Sequence, residues 1–210
     1  MRRSNRKEEN RRRLLDEGVR LLLAQGYHAT GLQEILSRVG IPKGSFYNYF
    51  PSKEDFSAAV IGYYIEPFIV QLDGWLARPE LKPVTALENY FRALIEELKA
   101  NDFKGGCLLG NLMAEIGDTS EICRQALRRA MHRYRDRIAG ALTRAQADGS
   151  IRRDLSPQTL ADLIVDNWQG ALLRMKIERS VEPLERFMTQ IFRELLPESP
   201  DRNDPGPDSP

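Results

Sequence analysis

The sequence predicts an all-α protein. Apolar residues recur at helical spacing along most of the 210 residues, alternating strand patterns are absent, and glycines, prolines and small polar residues fall where helices start and stop. A hydrophobic content of 41% is enough to close a core.

A first helix is predicted over residues 7–25, with Leu15, Val19 and Leu22 on one stripe and Gly26 placed to end it. Thr30 can cap a short second helix whose Leu32, Ile35, Leu36 and Val39 share a face, and Gly40 stops it. A third lies in GIPKGSFYNYF, residues 40–50, with Pro42 in its first turn, where a missing N–H costs little. Ser52 and Asp55 resemble a capping box, with Asp for the usual Glu or Gln. They open a fourth helix through Phe56, Ala59, Val60 and Tyr63, which Pro67 should kink or break. Helical stretches follow over residues 84–100, 107–116, 120–147, 157–177 and 182–196. The last fourteen residues hold five prolines, a net negative charge and no large apolar residue, as a disordered tail does. The chain therefore divides into residues 1–52, 53–196 and 197–210.

The net charge of +1 hides an asymmetry, because seven basic residues face two acidic ones between Met1 and Arg13. Such a segment can approach a polyanion, or simply keep an end solvated. Cys107 and Cys123 make no disulfide framework or zinc spacing, and with only His28 and His132 a metal site is not expected. No apolar run reaches the roughly 18 residues of a membrane span, and no apolar stretch follows the leading arginines. These features place the chain in the cytoplasm, without a membrane partner.

Residues 46–50 carry four aromatics, Phe46, Tyr47, Tyr49 and Phe50. On a helical wheel Phe50 lies about 40° from Phe46, so both rings can pack inward. Gly44, Ser45 and Asn48 then turn outward, flanked by Tyr47 and Tyr49. One reading is a core helix with a tyrosine-rich surface. The other is a recognition helix, whose hydroxyls and Lys43 reach phosphates, whose Asn48 meets a base edge and whose Gly44 allows close approach. The order of basic segment, first helix, capped short helix, glycine turn and aromatic helix is that of a helix-turn-helix unit.

Gly26-Tyr27-His28-Ala29-Thr30, Leu32-Gln33-Glu34-Ile35 and GIPKGSFYNYFPSKEDF strongly resemble the DNA-binding domain of the tetracycline-repressor (TetR) family of bacterial regulators, over most of residues 14–60. The resemblance implies a two-fold dimer on a palindromic duplex operator, with a variable helical C-terminal half for effector and dimer contacts. Family contact positions fall on Gln33, Lys43, Gly44, Ser45, Tyr47, Asn48, Tyr49 and Lys53. Position 48 is often His in the family, so Asn48 changes the base-edge chemistry. Lys53 would grip a phosphate together with the free N–H groups of its helix.

In the second half, Gly105-Gly106-Cys107 opens a helix, and the positive end of a helix favours a thiolate, with Lys104 adding to the effect. Cys107 is thus either a nucleophile or a small residue filling a gap. GGCLLGNLMAEIGD and WQGALLRMKIERSVEPLERF are similar to one branch of the TetR family, which includes the N-ethylmaleimide-reductase repressor and the acrylate-utilisation repressor. In the former a cysteine and a lysine sense electrophiles and oxidants, and the matching positions are Cys107 and Lys176. Lys176 is otherwise a surface lysine with its stem on apolar neighbours.

Trp168, Leu172, Ile177, Phe187, Met188, Ile191 and Phe192 give the last two helices apolar faces, for a four-helix interface with a second copy or for the chain's own core. The resemblance favours the homodimer, and Trp168 is counted with Cys107 and Lys176 as a candidate effector-sensing residue. The expectation is a transcriptional regulator, acting as a repressor, released by an electrophile or oxidant at Cys107, or by a non-reactive organic ligand. No cofactor or metal is expected. A thiol enzyme is the remote alternative, since neither histidine has the partner signature of a catalytic base.

Overall fold

A computed structural model describes residues 2–103 and 105–198, with side chains from Arg6 onward. Lys104, expected to act on Cys107, and the tail beyond Glu198, expected to be disordered, lie outside the described residues. Among the described residues there are helices and no strands.

The helices are α1 (Arg2–Ala29), α2 (Leu32–Val39), α3 (Lys43–Phe46), α4 (Lys53–Leu76), α5 (Pro83–Ala100), α6 (Leu108–Ile116), α7 (Glu121–Ala147), α8 (Pro157–Glu178) and α9 (Glu182–Thr189), which continues into a wide π-helical turn, Gln190–Leu195. α1 begins earlier than its apolar stripe, so the basic segment is helical. Gly26, at φ 78° and ψ 179°, breaks the helical path as expected, and one more turn follows it.

Thr30 does not cap α2. Gly31 occupies that position without a side-chain bond, while the Thr30 hydroxyl donates back to the Gly26 carbonyl at 2.5 Å. Gly40 closes α2 in the left-handed conformation, its N–H reaching the Leu36 and Ser37 carbonyls. Pro42 stands just before α3 at φ −61° and ψ 142° rather than in its first turn. α4 runs through Pro67 to Leu76 without the expected break. Its start is capped as read, the Asp55 N–H donating to the Ser52 hydroxyl at 3.0 Å. The shorter Asp55 side chain accepts from that same hydroxyl at 2.6 Å.

Phe46, Phe50 and Phe56 form the heart of the N-terminal unit, with ring centroids 5.0 to 5.7 Å apart. Fully burying each ring contributes about 1.5–3 kcal/mol. Because Phe56 belongs to α4, that helix starts inside the N-terminal unit and then pairs with α7 at the centre of the second half. α6 packs against both α1 and α7, bridging the halves.

The apolar face read as a dimer surface is mostly core of the single chain. Trp168, Leu172, Phe187, Met188, Ile191 and Phe192 are all buried, and Phe91 sits 5.0 Å from Phe187 and 5.1 Å from Trp168. Only Ile177, 83% exposed, stands outside. The rings of α8 and α9 close against α5, which the helical period of α8 and α9 alone does not reveal.

Candidate nucleic-acid interface and effector cavity

The aromatic segment splits as its wheel requires. Phe46 is fully buried and Phe50 nearly so, whereas Gln33, Lys43, Gly44 and Asn48 are exposed and Tyr47 is 54% exposed. Ser45 is half-buried. After α3 the backbone stays tightly wound, with N–H groups of Asn48, Tyr49 and Phe50 donating to Ser45 and Phe46 carbonyls at 2.8 to 3.2 Å. Tyr49 is held in place, its hydroxyl accepting from Asn10 Nδ2 at 3.2 Å.

Two arginines of the basic segment serve this scaffold, which sequence reasoning missed. Arg13 donates to the Val39 carbonyl at 2.8 Å, a cation at the C-terminal end of α2, and Arg11 lies over the Phe50 ring at 5.4 Å. Lys53 also has a partner inside the protein, which its sequence position does not reveal. Its ammonium donates to the Tyr27 carbonyl at 2.9 Å and sits 4.2 Å from the centre of that ring. Partial burial lowers its pKa.

In the second half a cavity of about 980 Å³ brings together all three residues expected to sense an effector, Cys107, Trp168 and Lys176. Its size suits an organic molecule, and Trp168, Phe68 and Leu172 make much of its wall apolar. α1 contributes Leu23, Ala24 and Arg20, so the N-terminal unit itself forms part of the wall.

Cys107 is half-buried at the residue preceding α6, with extended backbone and its carbonyl accepting from Asn111 at 3.1 Å. The chain reaches it through a strained stretch in which Asp102 and Phe103 both take positive φ, 58° and 57°, at about 1–2 kcal/mol each. The Gln169 carboxamide donates to the thiol at 3.4 Å. No hydrogen bond joins Lys176 to Cys107 among the described residues; Lys176 is exposed on the cavity wall. Tyr64 adjoins the thiol and accepts from the Leu108 N–H at 3.4 Å. Burial, reinforced by that thiol, pushes the Tyr64 phenol far above its ordinary value.

Cys123 is the opposite case. It is fully buried, its thiol lies 3.6 Å from the Glu54 carbonyl, and burial raises its pKa. It packs, as its stripe with Ala126 and Ala130 suggests. Among the described residues no cluster of His, Cys, Asp and Glu could hold a metal, and no helix is long and apolar enough to cross a membrane.

Residues 14–60 match the family of bacterial regulatory proteins of the tetR type, and residues 83–191 match the tetracyclin repressor-like C-terminal domain. The chain belongs to the TetR family. It is 40% identical to the transcriptional repressor DhaR of Mycobacterium sp. strain GP1, over 89% of this chain and 92% of that protein. It is 35% identical to the transcriptional regulator AcuR of Cereibacter sphaeroides, over 87% and 84%. With the repressor NemR of Escherichia coli K12 it shares 30% identity, over 87% and 92%. The crystal structure of reduced E. coli NemR superposes with a TM-score of 0.79, over 90% of this chain and 97% of that one. The TetR-family match makes the chain a transcriptional regulator of repressor type, not an enzyme.

Gln169 and Tyr64, which frame Cys107, have no sequence signal of their own. Gln169 could have been suspected only as the neighbour of Trp168, and Tyr64 lies 43 positions from Cys107 along the chain.

Proposed function

We propose that this TetR-family protein is a cytoplasmic homodimeric repressor that reads a palindromic operator with Gln33, Lys43, Gly44, Ser45, Tyr47, Asn48 and Tyr49 and is released when an electrophile or oxidant reaches Cys107. The observation that carries the DNA-binding part is the division of one short segment into buried Phe46 and Phe50 and outward Lys43, Tyr47 and Asn48. Those outward groups suit phosphate and base-edge contacts in the major groove. Lys53, partly engaged with Tyr27, would add a phosphate contact with whatever ammonium protons remain.

A second copy would cover apolar surface that one chain leaves open. Leu173 and Ile177 lie one turn apart on α8 and are 55% and 83% exposed, beside Gly170, which leaves room for close approach. Two half-sites about 34–36 Å apart must be engaged together, so a small rotation of the heads releases the duplex.

For sensing, support comes from Cys107 lining a cavity that α1 also walls. With an activated alkene, the sulfur bonds to the β carbon and the thiol proton ends on the α carbon, so nothing leaves. With a hydroperoxide, the sulfur takes one oxygen as sulfenic acid and an alcohol or water departs. Lys176, on the same cavity wall, could then meet the modified sulfur or an anionic part of the ligand.

The size and aromatic wall of the cavity favour a second reading, reversible binding of a non-reactive ligand against Trp168. Intact-mass analysis after mild maleimide treatment, run alongside operator binding, separates the two. The covalent reading expects a single adduct at Cys107 together with release. Release without an adduct, or an adduct without release, contradicts it.

A further inference from the structure

At Gly26 the backbone leaves the helical path of α1, so the next amides lose the acceptors a continuous helix would supply. The replacement acceptor comes from the other half of the molecule. Glu115, in the last turn of α6, takes the Tyr27 N–H on Oε2 at 2.7 Å and the His28 N–H at a longer 3.4 Å. His28 Nε2 lies 3.3 Å from the Glu115 carbonyl, a second tie between the same residues. The fit is close enough that a Cβ on Gly26 would stand 2.4 Å from Glu115 Oε1.

The turn held in this way is the corner from which α2 leaves. Thr30 donates to the Gly26 carbonyl within it, and Lys53 fixes Tyr27 from the other side. α2 and α3, with the outward face described above, follow directly. No ion pair engages Glu115 among the described residues, so backbone amides are what answer its charge. The Tyr27 amide is half-buried and the His28 amide exposed, and hydrogen bonds from amides to a charged acceptor are stronger than those to a neutral one.

The opposite end of α6 is Cys107. Its nine residues, Leu108–Ile116, form a rod of about 13.5 Å at 1.5 Å per residue. One end of this rod therefore stands at the cavity and the other holds the corner of the DNA-binding unit.

We propose that Glu115 is a positioning residue of the DNA-binding unit: its carboxylate, carried by α6, caps the Gly26–Thr30 corner and couples the setting of α2 and α3 to the cavity at Cys107. The capping part stands on the geometry alone; the coupling part rests on the sensing role proposed for Cys107.

The test uses the full chain and a duplex that the protein itself enriches from a randomised pool. Operator affinity, amide hydrogen exchange and thermal unfolding are measured for wild type, Glu115→Ala and Glu115→Gln. The alanine variant is expected to bind at least about tenfold more weakly, the scale of one charge-assisted hydrogen bond. Its Tyr27 amide should exchange at least about tenfold faster, while amides of the Phe46 and Phe56 region keep their protection. The glutamine variant retains an amide oxygen that can accept, and should stay within about threefold of wild type. If Glu115→Ala does not fold, Glu115→Asp, which keeps the charge but shortens its reach, carries the same comparison.

Wild-type affinity together with unchanged Tyr27 exchange in the alanine variant overturns the capping role. The coupling is read by alkylating Cys107 with a maleimide. Alkylation should weaken wild-type binding but add little to the loss already present in Glu115→Ala; a full additional loss overturns the coupling. If alkylation leaves wild-type binding intact, the sensing role of Cys107 and the coupling built on it both fail, while the Glu115→Ala comparison still decides the capping.

Discussion

Gly26 and Glu115 exclude a side chain between them, since a Cβ on the glycine would lie 2.4 Å from one carboxylate oxygen and 2.8 Å from the other. Gly26 also sits at φ 78°, where an L side chain is strained. Gly26→Ala therefore meets a backbone cost and displaces the acceptor of the Tyr27 amide together. The expected loss is about 1–3 kcal/mol in urea unfolding, with m unchanged. A neutral or stabilised variant would show that the corner relaxes freely.

Phe46 and Tyr47 are neighbours with opposite duties. Phe46 is fully buried against Phe50 and Phe56, so Phe46→Ala should cost about 3–5 kcal/mol. Tyr47 is more than half exposed, and Tyr47→Ala should stay within about 0.5 kcal/mol of wild type. Denaturant midpoints for the two variants check the contrast. Comparable losses would mean that Tyr47 packs into the unit rather than facing outward.

High pH should unfold the protein cooperatively. Burial pushes the phenols of Tyr64, Tyr90 and Tyr134 well above the ordinary value of 10.0, and the Tyr90 and Tyr134 rings are neighbours at 6.3 Å. The folded chain thus keeps three protons that the unfolded chain releases once pH passes about 10. Stability is unaffected below that pH and then falls by about 1.4 kcal/mol per pH unit for each tyrosine. Tyrosinate absorbance followed together with circular dichroism should show these phenols ionising only as helix is lost. Ionisation of all seven tyrosines of the chain before any loss of helix would contradict their burial.

Much of the N-terminal unit was legible because its signals are local. Gly26 and Gly40 mark breaks, Ser52 marks a cap, and the spacing of Phe46 and Phe50 separates an inner from an outer face. Legibility failed where partners lie far apart in sequence. Lys53 turns to Tyr27, Arg13 to Val39 and Glu115 to Tyr27, and no helical period encodes these pairings. The apolar face of α8 and α9 was visible as a face, but Phe91 on α5, which covers it, was not visible as its partner. Cys107 stands out by its place before a helix and Trp168 by its apolar face, Lys176 stands out through the family resemblance, and the three share one cavity, whereas Gln169, the hydrogen-bond donor to the thiol, is recognisable only in the folded chain.

The most direct test of the regulatory account is fluorescence anisotropy of a labelled operator duplex with wild type and with the double variant Tyr47→Ala, Asn48→Ala. With the outward face of α3 and the turn after it reading the major groove, the double variant should lose at least about tenfold in affinity at fixed salt while its thermal unfolding stays that of wild type. Equal affinities for wild type and the double variant would contradict the account.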